Sequence, residues 1–171
     1  MLKPQDIVVL LKLAGQSHGW TFERIASELD LSPSAVHRSL ERAEKSGLYN
    51  SKRKEINRAA LLEFLRHGAR YVFPPVRQGE SRGIPTAWAA PPLRDQLMSS
   101  QENVPVWPFA KGKARGIALE ALHPVVPGAA MRDPVLGELL ALFDAIRIGD
   151  ARERGLAGKE LDRRLKAPVL A

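Results

Sequence analysis

The chain has 171 residues, enough for one compact domain or a small domain with an accessory region. Its 26 Lys and Arg against 19 Asp and Glu give a net charge of +7, which admits a polyanionic partner without demanding one. With no cysteine, disulfides, Cys-ligated zinc and thiol chemistry are excluded.

The opening Met1-Leu2-Lys3-Pro4-Gln5-Asp6 leads into an apolar run of only Ile7 to Leu11, too short for a signal segment or a membrane span. No uncharged stretch elsewhere is long enough to span a bilayer, so a cytoplasmic protein without a membrane partner is expected. A first helix is expected from about Gln5 to Ala14. Ile7, Leu10, Leu11 and Ala14 share one face, while Val8, Val9 and Leu13 make the helix apolar nearly all round. Such a helix is either deeply buried or shared with a second surface. Gly15-Gln16-Ser17-His18-Gly19 breaks it.

Thr21 stands where an N-cap belongs, and Ile25, Ala26 and Leu29 mark the core face of a second helix. Asp30-Leu31 is the turn. Ser32 caps the next helix, with Pro33 at its first position, where a missing N–H costs nothing. Val36, Leu40 and Ala43 recur on one face, and Gly47 ends the helix as a left-handed cap. Leu48-Tyr49-Asn50 and Glu55-Ile56-Asn57 flank Ser51-Lys52-Arg53-Lys54, a short hairpin with a cationic tip. Asn57 caps a further helix through about His67 that packs Leu61, Leu62 and Leu65 and stops at Gly68.

Residues 71–130 hold nine of the thirteen prolines, each biasing its predecessor away from helix. Tyr71, Phe73, Trp88, Trp107 and Phe109 are nevertheless too many anchors for a disordered linker. An extended arm that packs on something is expected, with a short strand at Arg115 to Leu119. Asp133-Pro134 begins a helix to about Ile148, carrying Leu136, Leu139, Leu140, Phe143 and Ile146, and Gly149 closes it. Asp150 caps a final helix to Lys166, weakened by Gly155 and Gly158 at about 1 kcal/mol each relative to alanine.

Helix, tight turn, capped helix and basic hairpin is the order of a winged helix-turn-helix. The block from Gly19 to Leu40, with its Ile25-Ala26, Leu29, Leu31-Ser32, Val36 and Leu40 pattern and the later Gly47-Leu48, resembles the DNA-binding domains of bacterial transcriptional regulators of the MarR and IclR type. The resemblance covers residues 1–70 and implies a DNA-binding function there. No ligand-binding domain of such regulators is recognisable in the remainder, so effector site and dimer architecture are not carried over.

The residues themselves point the same way. Ser34, His37, Arg38, Glu41, Arg42 and Lys45 face outward from the second helix of the pair. Its N-terminal half, Ser34, His37 and Arg38, is where a recognition helix meets base edges. Arg38 suits guanine O6 and N7, a bidentate contact that discriminates by about 1–3 kcal/mol. Lys45, Lys52, Arg53 and Lys54 suit phosphate, which positions the protein without reading sequence, and Arg42 joins them as a candidate DNA-binding residue. The plain alternative for Glu41, Arg42 and Lys45 is an ordinary solvated face.

No chemistry competes. The histidines His18, His37, His67 and His123 lack metal spacing, and Glu138 and Asp144 lie six apart, off a common helix face. No nucleophile elbow, phosphate loop or dinucleotide fingerprint occurs. Lys111-Gly112-Lys113-Ala114-Arg115-Gly116 is cationic, but reads as a surface turn. No enzyme activity, cofactor or metal is expected.

The expected fold is therefore mainly α: a winged helix-turn-helix over 1–70, a Pro/Trp-rich extended arm over 71–130 and a C-terminal pair of helices over 131–171. The expected function is sequence-specific binding of double-stranded DNA, with a recognition helix over 33–46 and a wing at 51–54. A homodimer is expected, with Val9, Leu13, Trp88, Trp107, Leu139, Phe143 and Ile146 as the interface to a second copy or another protein. The alternative is a protein-binding module resembling an antitoxin, whose arm and C-terminal helices clamp a partner.

Overall fold

A computed structural model of the chain describes residues 1–16, 18–97 and 102–166. Ser17 in the expected helix break, residues 98–101 in the arm and residues 167–171 of the C-terminal region lie outside it. Among the described residues the chain forms eight α-helices and five short strands, so helix predominates but the fold is mixed.

Helix α1 spans Pro4–Ala14 and is buried almost all round, as a helix without a polar face must be. Helix α2, Phe22–Leu29, starts at Thr21, whose hydroxyl accepts from the Arg24 amide at 3.1 Å. It ends at Asp30 in the left-handed region, φ 57°, which an Asp tolerates better than most residues. Helix α3, Pro33–Lys45, is capped by the Ser32 hydroxyl on the Ala35 amide at 3.2 Å, and Gly47 follows it at φ 73°. The hairpin of β1, Tyr49–Asn50, and β2, Glu55–Ile56, pairs Tyr49 with Ile56 and Asn50 with Glu55. Helix α4, Arg58–His67, is capped by Asn57, and the single turn α5, Ala69–Val72, leads into the arm.

The arm is not merely extended. Strands β3, Arg77–Pro85, β4, Pro105–Pro108, and β5, Ala114–Leu119, close into a small three-stranded barrel. β3 runs antiparallel to both others, which run parallel to each other. Closing so few strands brings backbones together, and only glycine fits at the tightest points. A Cβ on Gly83 would collide with the Trp107 carbonyl, and one on Gly116 with the Val104 carbonyl. A 3-10 turn at Ala87–Ala89 carries Trp88.

Helix α6, Val126–Arg132, runs into α7, Pro134–Ile148, capped by Asp133 on the Leu136 amide. Helix α8, Ala151–Lys166, begins at a reciprocal cap between Asp150 and Glu153. Its Gly158 is buried, and a Cβ there would press on the Arg66 guanidinium of α4.

One hydrophobic core collects residues from all three parts of the chain: Leu10 and Leu13 of α1, Leu40 of α3, Leu61 and Leu65 of α4, Trp107 of β4, Phe143 of α7 and Leu161 of α8. This corrects the expected interface. Val9, Leu13, Trp107, Leu139, Phe143 and Ile146 are all at or below 5 % exposure and pack inside the chain. Their large apolar surface serves the protein's own core, which α7 shares with α1, α8 and the arm. Trp88 alone of that group is only half buried.

Candidate nucleic-acid interface

Helix α3 presents two distinct faces. Val36, Ser39, Leu40 and Ala43 are buried, while Ser34, His37, Arg38, Glu41 and Lys45 are exposed. The exposed set is the one that the apolar spacing marked in the sequence except for Arg42, which is only partly exposed. The Ser34 and Ser32 hydroxyls lie 3.1 Å apart beside the helix N-cap. His37 lies against Phe22, with ring centroids 5.5 Å apart and the rings tilted by 47°, and its Nδ1 lies 3.7 Å from a Glu41 carboxylate oxygen. Among the described residues no carboxylate pairs with Arg38, Lys45, Lys52, Arg53 or Lys54.

Arg42 departs from the expected DNA-binding set. Its Nε and Nη2 donate to the two carboxylate oxygens of Asp6 at 2.9 and 2.6 Å, and Asp6 is fully buried at the start of α1. The fork that would grip phosphate is occupied, so Arg42 is an anchor between α1 and α3. Burying a carboxylate without such a partner would be costly, which explains the assignment. Gln5 reinforces it, donating to the Ser39 hydroxyl at 2.8 Å and to the Ala35 carbonyl at 3.2 Å.

The hairpin is tied to α3 by a residue that the sequence did not single out. A Glu44 carboxylate oxygen accepts from the Ser51 hydroxyl at 2.5 Å and from the Ser51 amide at 3.0 Å. These two hydrogen bonds hold the Glu44 carboxyl below the usual carboxylate range. At the tip, the Asn50 side chain accepts from the Arg53 amide at 3.0 Å, and Lys54 turns the chain at φ 53°. Lys52, Arg53 and Lys54 are all exposed. The signal in the sequence is Asn50-Ser51 after a helix whose last turn carries Glu44, a pattern of short polar side chains that make local backbone turns.

Two further charged sites lie behind this surface. Lys12, only 4 % exposed, bridges Glu28 of α2 at 2.7 Å and the α7 cap Asp133 at 2.5 Å. Arg24 and Gln16 add to Glu28, each at 2.8 Å, and Arg132 of α6 reaches the Glu28 carbonyl. In the interior, Asp144 of α7 accepts from Trp107 Nε1 at 2.6 Å, Thr86 Oγ1 at 2.9 Å and Arg147 at 2.8 Å. Arg147 goes on to the Phe73 and Pro74 carbonyls. Burial pushes the Asp144 carboxyl up, against the pull of Arg147, Thr86 and Trp107. Asp144, which looked idle in the sequence, is what the arm packs on.

Trp88 lines a cavity of about 440 Å³ with Arg77, Glu102, Ile117, Ile148 and Glu153. Among the described residues no three His, Asp or Glu side chains are grouped to hold a metal, and no helix is long and apolar enough to cross a membrane. No family model matches the chain, and neither does any curated protein or solved structure.

Proposed function

We propose that the chain is a sequence-specific DNA-binding regulator of transcription, with α2, the Asp30-Leu31 turn and α3 as a helix-turn-helix and the β1–β2 hairpin as its wing. Helix α3 is assigned to the major groove, where Ser34, His37 and Arg38 read base edges. Lys45, Lys52, Arg53 and Lys54 hold phosphates on either side. The observation that carries this assignment is the outer surface of α3: Arg38 is exposed there and among the described residues has no carboxylate partner, beside a hairpin whose three exposed cations have none either and whose Ser51 is fixed to α3 through Glu44. The likeness of residues 19–48 to MarR- and IclR-type regulators supports the same assignment, and a DNA partner implies a cytoplasmic location. No catalytic step is assigned.

The buried residues Val9, Leu13, Trp107, Leu139, Phe143 and Ile146 no longer carry a dimer interface or an antitoxin-like clamp. A second copy or a partner protein would have to use the exposed Tyr71, Val72 and Val76, or Met131 and Val135. The test is Arg38→Ala, measured on a duplex enriched from a randomised pool by the wild-type protein and on random duplex. The expected weakening is about 10-fold or more on the enriched site and small on random sequence, as fits removal of a bidentate hydrogen bond to a base. Equal weakening on both would show that Arg38 touches phosphate only.

A further inference from the structure

The barrel carries a second cationic surface. Arg82 of β3 and Arg115 of β5 are directly opposite each other in the antiparallel ladder, and both are exposed. Lys111 and Lys113, in the turn that enters β5, are exposed as well. Among the described residues none of the four has a carboxylate partner. On the Arg82 side of β3 the one acid is Glu80, two residues away, whose cross-strand partner is Ile117. Like charges directly opposite on a sheet destabilise it, so this pair is a cost to the fold until an anion sits between the two forks. An arginine fork matches phosphate oxygens in a bidentate way, and two side by side make a phosphate clamp.

The clamp is held stiffly. Gly83 adjoins Arg82 and packs on the Trp107 backbone of β4, and Gly116 adjoins Arg115 and packs on the Val104 backbone just before β4. A Cβ on Gly112, between the two lysines, would strike the Gly83 backbone. The cations are thus displayed on a ribbon with little freedom to lose on binding.

We propose that the β3–β5 ribbon, through Arg82, Lys111, Lys113 and Arg115, is a second binding surface for the phosphate backbone of a nucleic acid duplex. An acidic protein would satisfy the charges too, but protein interfaces centre on apolar or aromatic anchors. Gln78, Gly79, Glu80 and Arg82 of the exposed strand offer none. A backbone partner needs only the charge. The inference shares its class of partner with the assignment of α3 but concerns different residues, so the two can fail separately.

The test compares the wild-type chain with the triple variant Arg82→Gln, Lys113→Gln, Arg115→Gln on a random-sequence duplex over a range of salt. The slope of log K against log salt should become shallower by about 0.9 for each phosphate that the variant no longer neutralises, with preference for an enriched site unchanged. An unchanged slope would overturn the inference. Amide shifts during titration of the wild-type chain with the same duplex separate the two surfaces and do not depend on how the variant folds. Shifts at Arg82, Lys113 and Arg115 with none in α3 would uphold the ribbon and sink the α3 assignment. Shifts in α3 alone would sink the ribbon, and none anywhere would sink both. Polyglutamate that competes as well as duplex of equal charge would overturn the choice of nucleic acid.

Discussion

Single charged residues decide which parts of this molecule are structural and which remain free to bind. Asp6, Lys12 and Asp144 are each buried, and each is matched: Asp6 by Arg42, Lys12 by Glu28 and Asp133, Asp144 by Arg147, Thr86 and Trp107. Removing one partner of a buried pair leaves the other uncompensated, which costs about 3–5 kcal/mol. Asp144→Ala should therefore lower the stability measured by urea unfolding by that amount, with Arg147 left buried without a counter-ion; a drop under about 1 kcal/mol would mean that the arm is held mainly by apolar packing. Glu28 gives a pH signature. Hydrogen bonds from Lys12 first and Arg24 second bring its carboxyl down from 4.5 to about 2. Because the folded value lies below the unfolded one, this stabilisation is complete above pH 4.5 and disappears as pH falls toward 2. The gap in stability between wild type and Glu28→Gln should accordingly be widest at neutral pH and close between pH 4.5 and 2. A gap constant over that whole range would contradict the assigned ion pair.

At the scale of elements, the hairpin offers the cleanest test. Changing Lys52, Arg53 and Lys54 together to Gln should reduce the salt slope of DNA affinity by about 0.9 for each phosphate they neutralise, whereas an unchanged slope would leave the tip in solvent. Elements with strong local signals were legible in the sequence. Thr21, Ser32, Asn57 and Asp133 all act as the N-caps their positions suggested, since a cap is a short-range hydrogen bond written within a few neighbouring residues. Strand β3 was not legible. Arg77–Pro85 reads Arg-Gln-Gly-Glu-Ser-Arg-Gly-Ile-Pro, with no alternation of apolar residues, because its first half is exposed and its order comes from backbone pairing with β4 and β5. Nor was the role of Arg42 legible. It sits among outward-facing residues of α3, and only the third dimension brings Asp6, 36 residues earlier, beneath it. Asp6 in a first helix with no polar face was the available hint, since a buried Asp must find a partner.

For the whole molecule, apolar surface that looked surplus to two terminal helices is consumed within a single core. The sequence shows how much apolar surface there is; where it goes depends on α7 being covered by α1, α8 and the turn at Trp88, elements far apart in the chain. What remains outside is mostly polar, with exposed cations of α3, the hairpin and the β3–β5 ribbon facing solvent. That distribution of charge suits the DNA partner proposed for α3. The decisive measurement is selection by the full chain from a pool of randomised duplexes, followed by competition of the enriched sequence against random DNA at about 150 mM salt. A short consensus should emerge and be bound about 10³-fold or more tightly than random sequence, the lower end for specific readers. A pool that stays random after repeated rounds, or equal affinity for consensus and random duplex, would contradict a sequence-reading α3.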